Sequence, residues 1–130
     1  MTTATPHKEH ADMHPILQTL TAQADEFVSI RRDIHRHPEL GFQEFRTSDL
    51  VAQCLTQWGY EVARGLGGTG VVGQLRRGDG NKRLGLRADM DALPIQEATG
   101  LDHASRNEGV MHACGPVSYT HLTLPTILLV

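Results

Sequence analysis

The apolar spacing of this chain changes period once, at Gly59, and that change limits the folds open to it. Before Gly59, apolar residues recur every three or four positions, which puts them on one side of a helix. Ile16, Leu17, Leu20, Ala24, Phe27 and Val28 make a first stripe from Pro15 to about His35, stopped by Pro38 and Gly41. Phe45, Leu50, Val51, Cys54, Leu55 and Trp58 make a second over roughly 43–58, with Gly59 as its C-terminal stop. After Gly59 the pattern alternates. Tyr60 to Ala63, Val71 to Leu75 and Arg83 to Ala88 read as short strands, parted by the glycine-rich Gly65 to Gly70 and by Arg77-Gly78-Asp79-Gly80-Asn81. The Asp79-Gly80 pair predicts a hairpin turn there. Two helices followed by a hairpin predict an α/β sandwich whose sheet covers the helical stripes. Residues 1–14 are polar and aperiodic and read as a loose terminus.

Charge and composition narrow the function classes. A net charge of -3 with both signs interleaved offers no basic stripe for nucleic acid and no polybasic flank for a bilayer. No apolar run approaches the roughly 20 residues that span a membrane, and the first ten residues lack the apolar core of a secretory signal, so a cytoplasmic setting is expected. Two cysteines, Cys54 and Cys114, are too few for a disulfide framework. Cys54 lies within a helical stripe and reads as a core thiol without chemistry.

Two familiar patterns carry little. Gly65-Leu66-Gly67-Gly68-Thr69-Gly70 has the glycines of a dinucleotide loop, with Asp89 about twenty residues on. That loop needs a helix after its last glycine, and Val71-Val72 follow instead. Arg77-Gly78-Asp79 spells an adhesion tripeptide, but a hairpin turn selects Gly and Asp at those places for their backbone angles.

The informative residues are Leu86-Arg87-Ala88-Asp89-Met90-Asp91-Ala92-Leu93-Pro94 and Met111-His112-Ala113-Cys114-Gly115. Two acids two apart at a strand end project from one face, at the sheet edge where α/β folds place ligands. Paired acids also end strands as plain solvated groups. His112 and Cys114 have the same spacing, and a thiolate beside an imidazole suits zinc, manganese, cobalt or nickel. Two ligands do not complete a site, and a half-buried Cys beside an unrelated His is the ordinary alternative. His35 and His37, two apart at a helix end, point to different sides and read as capping or surface residues.

Those two stretches, with Ile34-His35-Arg36-His37-Pro38-Glu39-Leu40-Gly41-Phe42-Gln43-Glu44 before them, resemble in order and spacing the hippurate hydrolase and indoleacetyl-amino-acid hydrolase family of binuclear metal amidohydrolases. The resemblance covers residues 15–115, as the amino-terminal part of a catalytic domain. It implies a zinc-peptidase-like α/β sandwich, left incomplete here, with a lid and dimerisation domain further along and homo-oligomeric relatives. It implies two divalent ions per intact site, Cys114 as a bridging metal ligand and Asp91 as the acid that positions the centre. Asp89 and His112 fall within the motifs as supporting neighbours. The implied chemistry is hydrolysis of a small N-acyl amino acid.

The chain then departs from the family, where Cys-Gly is followed by a ligating His and an Asp. Here Pro116 follows Gly115, and its ring offers no lone pair. Residues 116–130 match nothing in the family and read as a foreign junction. The chain as written is therefore expected to bind no metal tightly and to be inactive. The rival expectation is a non-catalytic metal- or partner-binding module built on the same fold. Reading the source DNA past the Gly115 codon separates the two, since His-Asp there marks a fragment of an enzyme.

Overall fold

The computed structural model describes residues 14–114. The expectations for residues 1–13 and for the tail from Gly115, Pro116 included, lie outside the described residues. The chain divides into two units, one ending at Arg32 and one beginning at Asp33.

The first helical stripe forms two helices instead of one. Helix α1 covers Pro15–Ala22, with Pro15 in its first turn and the His14 ring accepting from the Ile16 amide at 3.3 Å. The Gln23 amide turns back to Leu20 O at 3.2 Å, a three-residue bond that tightens the last turn and interrupts the ladder. Helix α2 then covers Ala24–Arg36, with Asp25 and Glu26 in its first turn and His35 and Arg36 in its last. Both ends thus carry the charge sign that the helix dipole favours.

Helix α3, Phe45–Gln57, follows the second stripe. Gly59, at φ 82°, takes the left-handed conformation that ends it. The Gly59 amide bonds Thr56 O and the Tyr60 amide bonds Leu55 O, each at 3.0 Å, which is the paired closure of a Schellman stop. Strands β1, Glu61–Leu66, and β2, Gly70–Gln74, pair antiparallel from Glu61 opposite Gln74 to Leu66 opposite Gly70, with an irregularity between Arg64 and Leu66. Gly65 enters the left-handed region there at φ 82°. Helix α3 and the hairpin meet where Leu55 and Tyr60 close over Gly73, whose added Cβ would lie 3.0 and 3.1 Å from them. Thr69 in the turn donates to Glu44 before α3, and Arg64 pairs with Asp49 on it.

These elements are α/β, as the sequence predicts, but the hairpin closes at Gly67 to Thr69. The expected hairpin turn at Asp79-Gly80 is not formed, the chain only bending at Gly78 and Asp79, and 83–88 forms no strand among the described residues. The physical reason is the want of a neighbour: a strand exists through its ladder partner, and Leu84 and Leu86 stand 76% and 81% exposed with none beside them.

Candidate functional site

The site region begins at the end of α2. Pro38 is fully buried, and its carbonyl accepts from Asn107 Nδ2 at 2.7 Å, while Arg36 O accepts from the Arg106 amide at 2.9 Å. Three extended pieces follow side by side. Leu40 bridges Ala92 in parallel, and Leu93 bridges Met111 antiparallel. The Ala92 amide donates to Glu39 O at 2.7 Å, and Leu93 and Met111 exchange bonds of 2.9 and 3.0 Å. Ala92, 3% exposed, sits at the centre of this arrangement. Asp91 directly precedes it and Cys114 lies three residues beyond Met111, so the two motif stretches are joined here.

Gly41 and Phe42 turn the chain towards α3. The Gln43 amide closes onto Leu40 O at 2.9 Å, and Phe42, third in that turn, takes φ 65°, a region bulky residues seldom enter. A Cβ added to Gly41 would stand 3.9 Å from Asp91 Oδ2, so this backbone runs against the Asp91 side chain.

Two carboxylates pin the region. Glu39 accepts from the amides of Arg46 at 2.9 Å and Thr47 at 2.7 Å, capping α3 from outside the helix. Burial acts to raise its pKa, but those amide bonds, the Thr47 hydroxyl and the Arg46 charge together hold it below the usual glutamate value. Glu97, whose side chain is 3% exposed, accepts from the Thr99 hydroxyl, from the Ser105 amide at 2.6 Å and from His35 Nε2 at 3.1 Å. The Thr99 hydroxyl and then the Ser105 amide do most to pull its pKa down to about 2, against the effect of burial and with help from His35.

His35 is therefore half-buried and engaged, which corrects its reading as a capping or surface residue. Its ring lies 5.5 Å from that of His103 and 6.3 Å from that of His112. His37, as expected, points elsewhere, to Asp33 O at 2.9 Å. Burial pushes the His112 pKa down, and a proton on His35 pushes it further; the Asp91 carbonyl and the Asp91 and Glu39 carboxylates oppose them. His112 Nε2 is buried without a partner.

The other sequence candidates are less enclosed. Asp91 and Cys114 are exposed, and neither cysteine is in a disulfide. Asp89 is taken by Arg87, with Nε and the guanidinium NH2 each at 3.1 Å, on an exposed stretch. Its expected same-face alignment with Asp91 presupposed a strand over 83–88 that is not formed. Among the described residues no three His, Cys, Asp or Glu side chains gather as a metal group, so residues 14–114 do not by themselves fit a two-metal centre. Sequence reasoning missed Glu39, Glu97 and Asn107. Glu97 acts on His35 from 62 positions away, a separation over which no spacing rule operates.

Comparison with known proteins agrees with the motifs. The profile of Peptidase family M20/M25/M40 matches residues 85–121. Hippurate hydrolase of Campylobacter jejuni is 57% identical over 95 residues, which cover 73% of this chain and 25% of that protein. IAA-amino acid hydrolase ILR1-like 5 of Arabidopsis thaliana is 45% identical, covering 77% and 23%. The solved YXEP protein of Bacillus subtilis, described as a dinuclear metal binding peptidase from the M20 family, superimposes with a TM-score of 0.63 at 39% identity, covering 72% and 27%. Over the matched stretch the chain belongs to peptidase family M20/M25/M40, a family of hydrolases, as an amino-terminal part. The similarity extends equally to thermostable carboxypeptidase 1 of Saccharolobus solfataricus, 48% identical over 77% of this chain and 26% of that protein. The chain spans about a quarter of the length of the curated relatives it matches. No helix among the described residues is long and apolar enough to cross a membrane.

Proposed function

We propose that the protein to which this stretch belongs hydrolyses the amide bond of small N-acyl amino acids of the hippurate kind. The observation that carries this reading is the pairing of Leu93 with Met111, which sets the Asp91 motif beside the Cys114 motif. Amide hydrolysis needs a polarised carbonyl, an activated water and a protonated leaving amine. In this reading Cys114 serves as a metal ligand and Asp91 orders the centre from beside it, with Asp89 and His112 in support. The cofactors are two divalent ions from among zinc, manganese, cobalt and nickel. The protein works in the cytoplasm as a homo-oligomer, on a small molecule rather than a nucleic acid or membrane.

Because residues 14–114 do not gather three metal-binding side chains, the 130-residue chain is expected to show no hippurate turnover above a metal-only blank. The direct test replaces the matched segment of the Campylobacter enzyme with residues 14–114. A hybrid that cleaves hippurate supports the reading. One that folds and loads metal but leaves N-acyl amino acids intact overturns it, in favour of a binding module on the same fold.

A further inference from the structure

Leu93 and Met111 close a loop, residues 94–110, that leaves and re-enters the site region at one antiparallel bridge. In an antiparallel pair the chain before the first residue and the chain after the second lie on the same side of the bridge, opposite the loop. Asp91, two residues before Leu93, and Cys114, three after Met111, are therefore on one side, and the loop is on the other. The bridge has two hydrogen bonds, of 2.9 and 3.0 Å, both at the same level. Such a pair fixes the distance between two stretches at one point but leaves their angle free, so they could splay about it like the blades of shears.

On the loop side the two arms are joined by side chains. Gln96 Oε1 accepts from the Gly109 amide at 2.8 Å, and the next residue, Glu97, accepts from the Ser105 amide at 2.6 Å and from the Thr99 hydroxyl. The Glu97 carboxylate also takes His35 Nε2 at 3.1 Å, which ties both arms to the end of α2. The second arm is bonded there twice more, the Arg106 amide to Arg36 O at 2.9 Å and Asn107 Nδ2 to Pro38 O at 2.7 Å. Glu97 thus joins three stretches through one side chain, and at 3% exposure water competes little for its bonds. We propose that Glu97 is a positioning residue: by clamping the loop shut it fixes the angle at the Leu93–Met111 bridge, and so the separation of Asp91 from Cys114 beyond it. The inference rests on the proposed reading, in which those two residues act in one centre, but the separation itself is measured without turnover.

The test uses the 130-residue chain with Cys54→Ser and Asp91→Cys, carrying nitroxide labels at positions 91 and 114, both exposed. Dipolar broadening between the labels reads their separation, and with Glu97 in place a single narrow distance is expected. Glu97→Leu fills the space without an acceptor. It should spread that distance towards longer values and speed exchange of the Met111 amide about tenfold, the size of one lost hydrogen bond. Glu97→Gln keeps an oxygen for the Ser105 amide and should preserve the narrow distance. Exchange protection across α3 certifies that each variant is folded. If the Leu variant does not fold, Glu97→Asp takes its place: one methylene shorter, it cannot reach Ser105 and His35 at once, and should show the same spread to a smaller extent. A broad distance with Glu97 in place overturns the proposal. So do Leu (or Asp) and Gln variants that agree, both narrow or both spread, since the acceptor would then not set the separation. The two readings fail separately. A hybrid hydrolase that leaves hippurate intact, while the labels respond to Glu97 as stated, removes the activity; a working hybrid, with labels that ignore Glu97, removes the positioning role.

Discussion

The helix and hairpin of residues 45–74 and the extended stretch of residues 83–114 belong to the same unit, yet they are held by different means. The first is made of regular elements whose backbone groups satisfy one another: a capped helix, its Schellman stop and a five-pair ladder. The second has two isolated bridges and is held chiefly by side chains reaching backbone, from Glu97 to Ser105, Asn107 to Pro38 and Gln96 to Gly109. The candidate chemistry sits in the second. Irregular backbone can aim several side chains at one place, but each pin must be supplied by a particular residue, so single polar substitutions should hurt it far more than they hurt the first region.

The sharpest way to break that contrast is Glu97→Ala. It leaves His35 and the Ser105 amide without their acceptor in a part-buried setting, and should cost about 2 kcal/mol. Amide exchange at Ser105 and Arg106 should rise while the far-UV helical signal of α3 persists; equal losses in both regions would dissolve the distinction. Acid should act in the same way. With its folded pKa held at about 2 against an ordinary 4.5, Glu97 contributes stability that is fully present above about pH 4.5 and disappears as pH falls towards 2. Glu97→Gln should flatten that part of the acid transition.

The complementary perturbation is Gly70→Ala. The added Cβ would collide with the carbonyl oxygen of Leu66, its ladder partner, and backbone cannot yield as a flexible side chain does. A loss of about 1–3 kcal/mol is expected, read as lost protection across β1 and β2 while Ser105 keeps its own. A smaller effect should link the regions. Glu39 takes α3 amides with its carboxylate and the Ala92 amide with its carbonyl, so Glu39→Gln should lower stability by about 1 kcal/mol and loosen only the start of α3, because the carbonyl bond survives. Its depressed pKa adds to the same acid loss. The smallest effect belongs to Cys114→Ser. Among the described residues no three metal-binding side chains gather around the exposed Cys114, so calorimetric titration should show no sub-micromolar zinc site before or after the change. A one-equivalent tight site lost in the variant would show that the extended stretch completes a centre unaided.

The two regions also differ in how far they could be read without coordinates. Helix α3 and its stop follow from the stripe of Phe45 to Trp58 and from Gly59, because a helix is made of contacts three and four residues apart. The strands on either side of Gly65 to Gly70 were legible in the same local pattern. The hairpin turn was not, since Asp79-Gly80 and Gly67-Gly68 both permit one and only a ladder partner chooses between them. In the extended stretch the long motifs mark Asp91 and Cys114, whereas Asp89 and Asp91 were expected on a strand face that never formed.

What the sequence by itself determined is helix α3 with its stop, the two strands around the glycine-rich turn, and the family, because these are written in short spacings and contiguous motifs. Only the tertiary structure decided that Glu97 anchors His35, that Glu39 caps α3, and that Asn107 holds the Pro38 carbonyl. Those contacts join residues separated by 62, 8 and 69 positions, and no periodicity in a chain encodes a pairing that exists only once the intervening elements have packed.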